Sequence, residues 1–195
     1  MNSHSQKEQR KPVKEVKGLK RAFKRLFSGS KLDMELIETI TSNNVNKIKD
    51  LIKKGANVNA RDGVGNTCLM LACDFNNFET VSFLLSKKAN VDFVNQFGYT
   101  ALHFAVQKND LKVVRLLINS SEAIVEKMIN KKDDLGNTPL HLAIDSGNAN
   151  VVDFLVKKGA DLNIRNSQGE RPLDIARKKQ YFKIIEVLAN TKKEL

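Results

Sequence analysis

The stretch Gly136-Asn137-Thr138-Pro139-Leu140-His141-Leu142-Ala143 decides the fold. Thr138 is a residue type that caps a helix, because its hydroxyl accepts a first-turn N–H that has no partner inside the helix. Pro139 suits the first helical position, where no N–H is needed. Leu140 and Ala143 are three residues apart, so a large and a small apolar side chain share one helix face and a neighbouring helix can approach closely. A break follows at Asp145-Ser146-Gly147-Asn148. A second apolar run, Val151-Val152-Asp153-Phe154-Leu155-Val156, then has helical spacing. Lys157-Lys158-Gly159-Ala160-Asp161-Leu162 ends it, with Gly159 where a helix commonly needs a positive φ.

The phrase recurs. Asn66-Thr67-Cys68-Leu69-Met70-Leu71-Ala72, Tyr99-Thr100-Ala101-Leu102-His103-Phe104-Ala105 and Glu170-Arg171-Pro172-Leu173-Asp174-Ile175-Ala176 each follow a glycine, at Gly65, Gly98 and Gly169. With Gly136 the spacings are 33, 38 and 33 residues. Asn59, Asp92, Asn130 and Asn163 precede those glycines by six residues, in polar turn chemistry. Val113-Val114-Arg115-Leu116-Leu117-Ile118 repeats the second run. One unit of two short helices cannot bury its own apolar face, whereas several stacked units can. The expected fold is an all-α repeat solenoid of helix-turn-helix units with β-hairpin or loop fingers.

These residues resemble the ankyrin repeat, whose pattern is Gly-x-Thr-Pro-Leu-His, Leu-Ala-Ala, Val-Val-x-Leu-Leu and Gly-Ala-Asp-Val-Asn. The resemblance covers residues 34–195. It implies five units: an N-terminal cap at 34–64, internal units at 65–97, 98–135 and 136–168, and a C-terminal cap at 169–195. Residues 32–195 are expected to form the domain and residues 1–31 a separate arm. Lys178, Lys179 and Lys183 suggest a polar outer face for the last cap. Two departures stand out. Lys88 occupies the place of Gly55 and Gly159, which predicts a weaker joint. Five extra residues around Ser120–Lys127 predict a longer second helix or an extra turn.

The net charge of +11 describes the arm more than the repeats. Residues 1–31 hold ten Lys or Arg against Glu8 and Glu15. Within the arm, Val16, Leu19, Ala22, Phe23, Leu26 and Phe27 keep helical spacing, with basic residues opposite. Its readings stay open: a partly disordered tail whose apolar side packs on the first unit, contact of residues 7–31 with a membrane surface or nucleic acid, docking on a partner, and a two-part nuclear signal built on Arg10-Lys11, Lys20-Arg21 and Lys24-Arg25. No run approaches the roughly 18 apolar residues of a membrane span, and no secretory apolar segment is seen. The expected location is therefore cytoplasmic or nuclear, or a host cell if the source is an intracellular bacterium or virus. Cys68 and Cys73 read as buried thiols.

No enzyme is expected. His103 and His141 stand one unit apart, but the resemblance implies a structural role beside the helix start, with Asp174 in the same place in the last unit. No nucleophile has a defensible partner, no glycine-rich phosphate loop is present, and too few ligands surround the cysteines for zinc. No cofactor or metal is expected, nor a small-molecule ligand, and the chain is expected to be monomeric.

The resemblance implies binding through hairpin tips and the concave face of the first helices. The expected partner is another protein, with the chain acting as adaptor, scaffold or inhibitor. The tip positions are Gly63, Val64 and Asn66; Gln96, Phe97 and Tyr99; Asp134, Leu135 and Asn137; and Ser167, Gln168 and Glu170. Val64, Phe97 and Leu135 place apolar side chains where solvent is expected. Phe75 takes the variable first-helix position that Lys108, Ser146 and Lys179 fill later. The candidate interface is thus Phe75, Phe97 and Tyr99, flanked by Val64, Leu135 and Phe93, with Asn66, Gln96, Asp134 and Asn137 as its polar surround.

Overall fold

The computed structural model describes residues 29–120 and 128–190. Among the described residues ten helices run in five pairs: α1 Lys31–Thr41 and α2 Val45–Lys53, α3 Cys68–Asp74 and α4 Phe78–Ser86, α5 Ala101–Gln107 and α6 Leu111–Ile118, α7 Pro139–Asp145 and α8 Ala149–Lys157, α9 Pro172–Lys178 and α10 Phe182–Asn190. First helices stack on first helices and second on second, unit by unit. This is the all-α solenoid. Its loop fingers contain one isolated β-bridge among the described residues, Arg61 with Thr67.

The apolar periodicity becomes one continuous core. Leu102, Ala105 and Val106 of α5 and Val113, Val114 and Leu117 of α6 are all fully buried, and the other units repeat this. Each of these short helices would be marginal alone, so packing between units holds them.

Every first helix starts with the same device built from different residues. The backbone N–H of the cap donates to the side chain three residues on: Ser30 to Asp33 (2.9 Å), Thr67 to Met70 Sδ (3.4 Å), Thr100 to His103 Nδ1 (3.1 Å), Thr138 to His141 Nδ1 (3.2 Å) and Arg171 to Asp174 (2.9 Å). Such a side chain satisfies a donor that helix geometry leaves unpaired. Helix α1 begins at Lys31, so the first helix reaches back into residues assigned to the arm.

The turn between paired helices is just as regular. Asn43, Asn76, Asn109 and Gln180 take positive φ there, as does Gly147. Asn44, Asn77, Asp110 and Asn148 then cap the second helices. Asn is the non-glycine residue that best tolerates the left-handed region.

Both sequence departures are visible. Lys88 sits at φ 58° where Gly55 and Gly159 sit at 98° and 91°. The insert does not lengthen the second helix: α6 ends at Ile118 and is followed by a turn at Asn119 and Ser120. The N–H of Asn119 bonds back to Arg115 and that of Ser120 to Leu117, which closes the helix before the extra residues begin. The alternative of an extra turn falls on residues 121–127, outside those described, as do the arm's candidate segments before residue 29. Lys178, Lys179 and Lys183 of the last cap are exposed, as is Phe182 at the start of α10.

Candidate partner-binding surface

The fingers are built on one residue per unit, three positions before the glycine. Asp62, Asn95, Asp133 and Asn166 each turn a side-chain oxygen back on the loop. Asn95 Oδ1 accepts from the N–H groups of Phe97 and Tyr99, both at 2.9 Å, and Asp133 Oδ1 from Leu135 (2.9 Å) and Asn137 (2.7 Å). Asp62 and Asn166 do the same. The glycine at the fourth turn position has positive φ, as Gly98 (74°) and Gly136 (73°) show. A side-chain oxygen that mimics a turn carbonyl, followed by a left-handed glycine, makes a tight finger without a long strand pair.

Adjacent fingers are tied by main chain. Gln96 N–H donates to the Val64 carbonyl (3.0 Å), Asp134 N–H to the Phe97 carbonyl (3.0 Å) and Ser167 N–H to the Leu135 carbonyl (2.8 Å). The residue before each glycine therefore offers its carbonyl to the next unit and its side chain to solvent. Those side chains are 38% (Val64), 54% (Phe97) and 65% (Leu135) exposed. Stacked helices sit about 8–10 Å apart, so this apolar row advances by roughly that distance per unit. Phe75, just past α3, is 49% exposed. Its counterpart Lys108 is instead ion-paired to Asp74 at 2.8 Å, and Lys179 to Asp145 at 2.5 Å.

The remaining candidates lie deeper or are occupied. Tyr99 is half-buried, its ring 5.4 Å from that of His103 and 5.5 Å from that of Phe104. Phe93 is half-buried, with the Arg61 guanidinium 4.1 Å above its ring. Asn66 Oδ1 accepts from Asn95 Nδ2 (2.8 Å), and Asn137 Oδ1 from Asn166 Nδ2 (3.2 Å). Gln96 reaches the Gly63 carbonyl at 3.4 Å, while Asp134 is exposed. Of the candidates, Val64, Phe97, Leu135 and Phe75 thus hold the exposed apolar surface, and the asparagines hold the fingers together. The side-chain signal missed in the sequence is the Asp/Asn three before each glycine, which was available in all four units.

The histidines serve the fold. His103 Nε2 lies 3.4 Å from the Asn137 carbonyl and His141 Nε2 3.3 Å from that of Glu170. With Nδ1 accepting from Thr100, His103 is neutral and donates through Nε2 to the next unit. Burial pushes its imidazole down to about 4, against the pull of the Asn137 carbonyl, which favours the charged form. His141 is shifted the same way, again by burial. Burial also raises both thiols, Cys68 to about 12 and Cys73 further. No group of three or more His, Cys, Asp or Glu able to hold a metal occurs among the described residues. None of the described helices is long and apolar enough to cross a membrane.

Comparison with known proteins agrees with this architecture. A family model for ankyrin repeats, in three copies, matches residues 36–128 and 119–195. The human palmitoyltransferase ZDHHC13 is 48% identical over 52 residues, 27% of this chain and 8% of that protein. The rat nuclear factor NF-kappa-B p105 subunit is 38% identical over 74 residues, 38% of this chain and 8% of its own length. The chicken NF-kappa-B inhibitor alpha is 37% identical over 60 residues, 31% of this chain and 19% of its own length. The chain spans only a small part of each of these relatives.

Proposed function

The chain belongs to the ankyrin repeat family, whose repeats generally bind other proteins, and from that premise we propose that it is a non-catalytic module holding a protein partner on its finger row. The observation that carries this is the juxtaposition at Val64, Phe97 and Leu135: ordered main chain and exposed apolar side chain at the same residue, unit after unit. Aromatic and aliphatic anchors on a preorganised surface lose little entropy on binding. Phe75 extends the apolar row towards the ends of the first helices. The chain acts by covering a partner's surface, as adaptor, scaffold or inhibitor. The likeness to a protein named NF-kappa-B inhibitor alpha favours the inhibitor reading. Affinity capture with the intact chain as bait tests the reading. A protein recovered by the native chain and lost with Phe97→Ala plus Leu135→Ala supports it, and equal recovery overturns it.

A further inference from the structure

The second helices carry a charge of their own. Over residues 45–54, 78–88, 111–118, 149–158 and 182–190 there are eleven Lys or Arg and four Asp or Glu. The other described residues hold ten against thirteen, so the excess belongs to this face. Two of its four acids are already engaged, Glu79 by Lys49 at 3.5 Å and Asp153 by Lys157 at 2.8 Å. Helix stability does not account for the pattern. Cations favour the last turn of a helix, which suits Lys53 and Lys157. Lys112 and Lys183 lie in first turns, where the helix dipole opposes them, whereas Lys47, also in a first turn, is held by Glu35 at 2.8 Å.

The face also repeats a specific arrangement. Phe83, sixth in α4, has Lys49 at 5.8 Å and Lys87 at 5.6 Å from its ring centroid. Phe154, sixth in α8, has Arg115 at 4.6 Å and Lys158 at 5.8 Å. The cations come from the same places each time: the fifth residue of the preceding second helix and the tenth position counted along the ring's own helix. Each ring thus steadies a pair of cations across a unit boundary. Phe78 and Phe182, the first residues of α4 and α10, are 47% and 76% exposed.

We propose that this second-helix face docks on an anionic lipid bilayer. Its lysines and Arg115 meet headgroup phosphates and carboxylates, and Phe78 and Phe182 enter the interfacial layer. Many basic residues with a few exposed apolar side chains match an interface that is charged at its surface and apolar just beneath. Nucleic acid fits less well. Stacking on bases needs open aromatic faces, whereas Phe83 and Phe154 are covered by cations and Phe154 is buried.

Co-sedimentation of the full chain with phosphatidylcholine vesicles, with and without phosphatidylserine, tests this. Because the basic arm is present throughout, the readout is the change made by Lys87→Gln, Arg115→Gln and Lys158→Gln together. At about 1 kcal/mol per cation near the surface, the triple variant should partition roughly a hundredfold more weakly into serine-containing vesicles. Phe182→Ser should weaken partitioning severalfold while keeping its salt dependence. Circular dichroism and the melting midpoint check the fold. If the triple variant melts early, the single variants are read instead, each expected to lose about fivefold. The proposal is overturned if the variants sediment like the native chain, if uncharged vesicles bind as well, or if duplex DNA, RNA or an acidic protein is bound while vesicles are not. Binding of the finger-row partner should be the same in all these variants, which separates the two surfaces.

Discussion

The N–H of Asp134 donates to the carbonyl of Phe97 at 3.0 Å, across the boundary between two units. The ring of Phe97 points to solvent while its main chain supports the next finger. Exposure and order therefore coincide at one residue.

The joint at Lys88 should be improvable. A non-glycine residue at φ 58° carries a penalty of about 1 kcal/mol that Gly55 and Gly159 avoid. Lys88→Gly is expected to raise unfolding free energy by about 0.5–1 kcal/mol, read from the denaturant midpoint at constant slope. A lower midpoint would show that the strain is already relieved by its surroundings.

Two glycines of equal backbone shape should respond unequally. Gly136 and Gly169 have φ 73° and 75°. A Cβ on Gly136 would lie 2.9 Å from the Ser167 nitrogen, whereas one on Gly169 meets nothing within 4 Å. Gly169→Ala should cost about 1 kcal/mol from φ alone. Gly136→Ala should cost at least about 1 kcal/mol more, because backbone must shift. Equal losses in thermal melts would mean the close approach of fingers carries no energy.

Stability should fall with acid through a defined window. His103 titrates near 4 when folded and near its ordinary 6.5 when unfolded, so between those values the unfolded chain binds more protons. Its contribution is fully present above pH 6.5 and is lost as pH falls towards 4. That amounts to roughly 3 kcal/mol at 1.36 kcal/mol per unit. His103→Gln keeps an acceptor for the Thr100 N–H and removes the titration. Denaturant midpoints against pH should be visibly flatter for that variant. The same slope in both proteins would place the acid sensitivity elsewhere.

The two thiols should be silent in the folded chain. Cys68 and Cys73 are fully buried, and burial raises both. Iodoacetamide should modify neither under native conditions and both in denaturant. Rapid native labelling would show that the second unit opens readily.

Much of this was legible in the sequence, for reasons that differ by residue. Helix starts showed at Thr67 and Thr100, whose hydroxyls accept first-turn N–H groups, and at Pro139 and Pro172, although the Thr138 hydroxyl meets His141 Nδ1 at 2.8 Å instead; the apolar runs showed because burial imposes a helical period. Lys88 was readable as a conflict because its neighbours in register are glycines. The finger organisers Asp62, Asn95, Asp133 and Asn166 were present but looked like generic turn residues. Asn66 and Asn137 read as exposed tip positions, although their side chains turn sideways to adjacent units, and lateral bonding leaves no periodic mark within one unit. Tyr99 and Phe93 read as neighbours of Phe97 in the candidate interface, yet each is half-covered, by His103 and Phe104 for one and by Arg61 for the other. The extra residues near Ser120 gave a length but no direction, and α6 closes before them.

Calorimetric titration of the captured partner against the native chain and against Phe97→Ala plus Leu135→Ala tests the central claim most directly. Both side chains are exposed and their main-chain bonds survive truncation, so the melting midpoint should stay the same. Loss of two interface anchors should weaken binding by at least about thirtyfold, from roughly 1 kcal/mol or more each. Affinity unchanged within twofold, with the fold intact, would contradict the finger row as the docking surface.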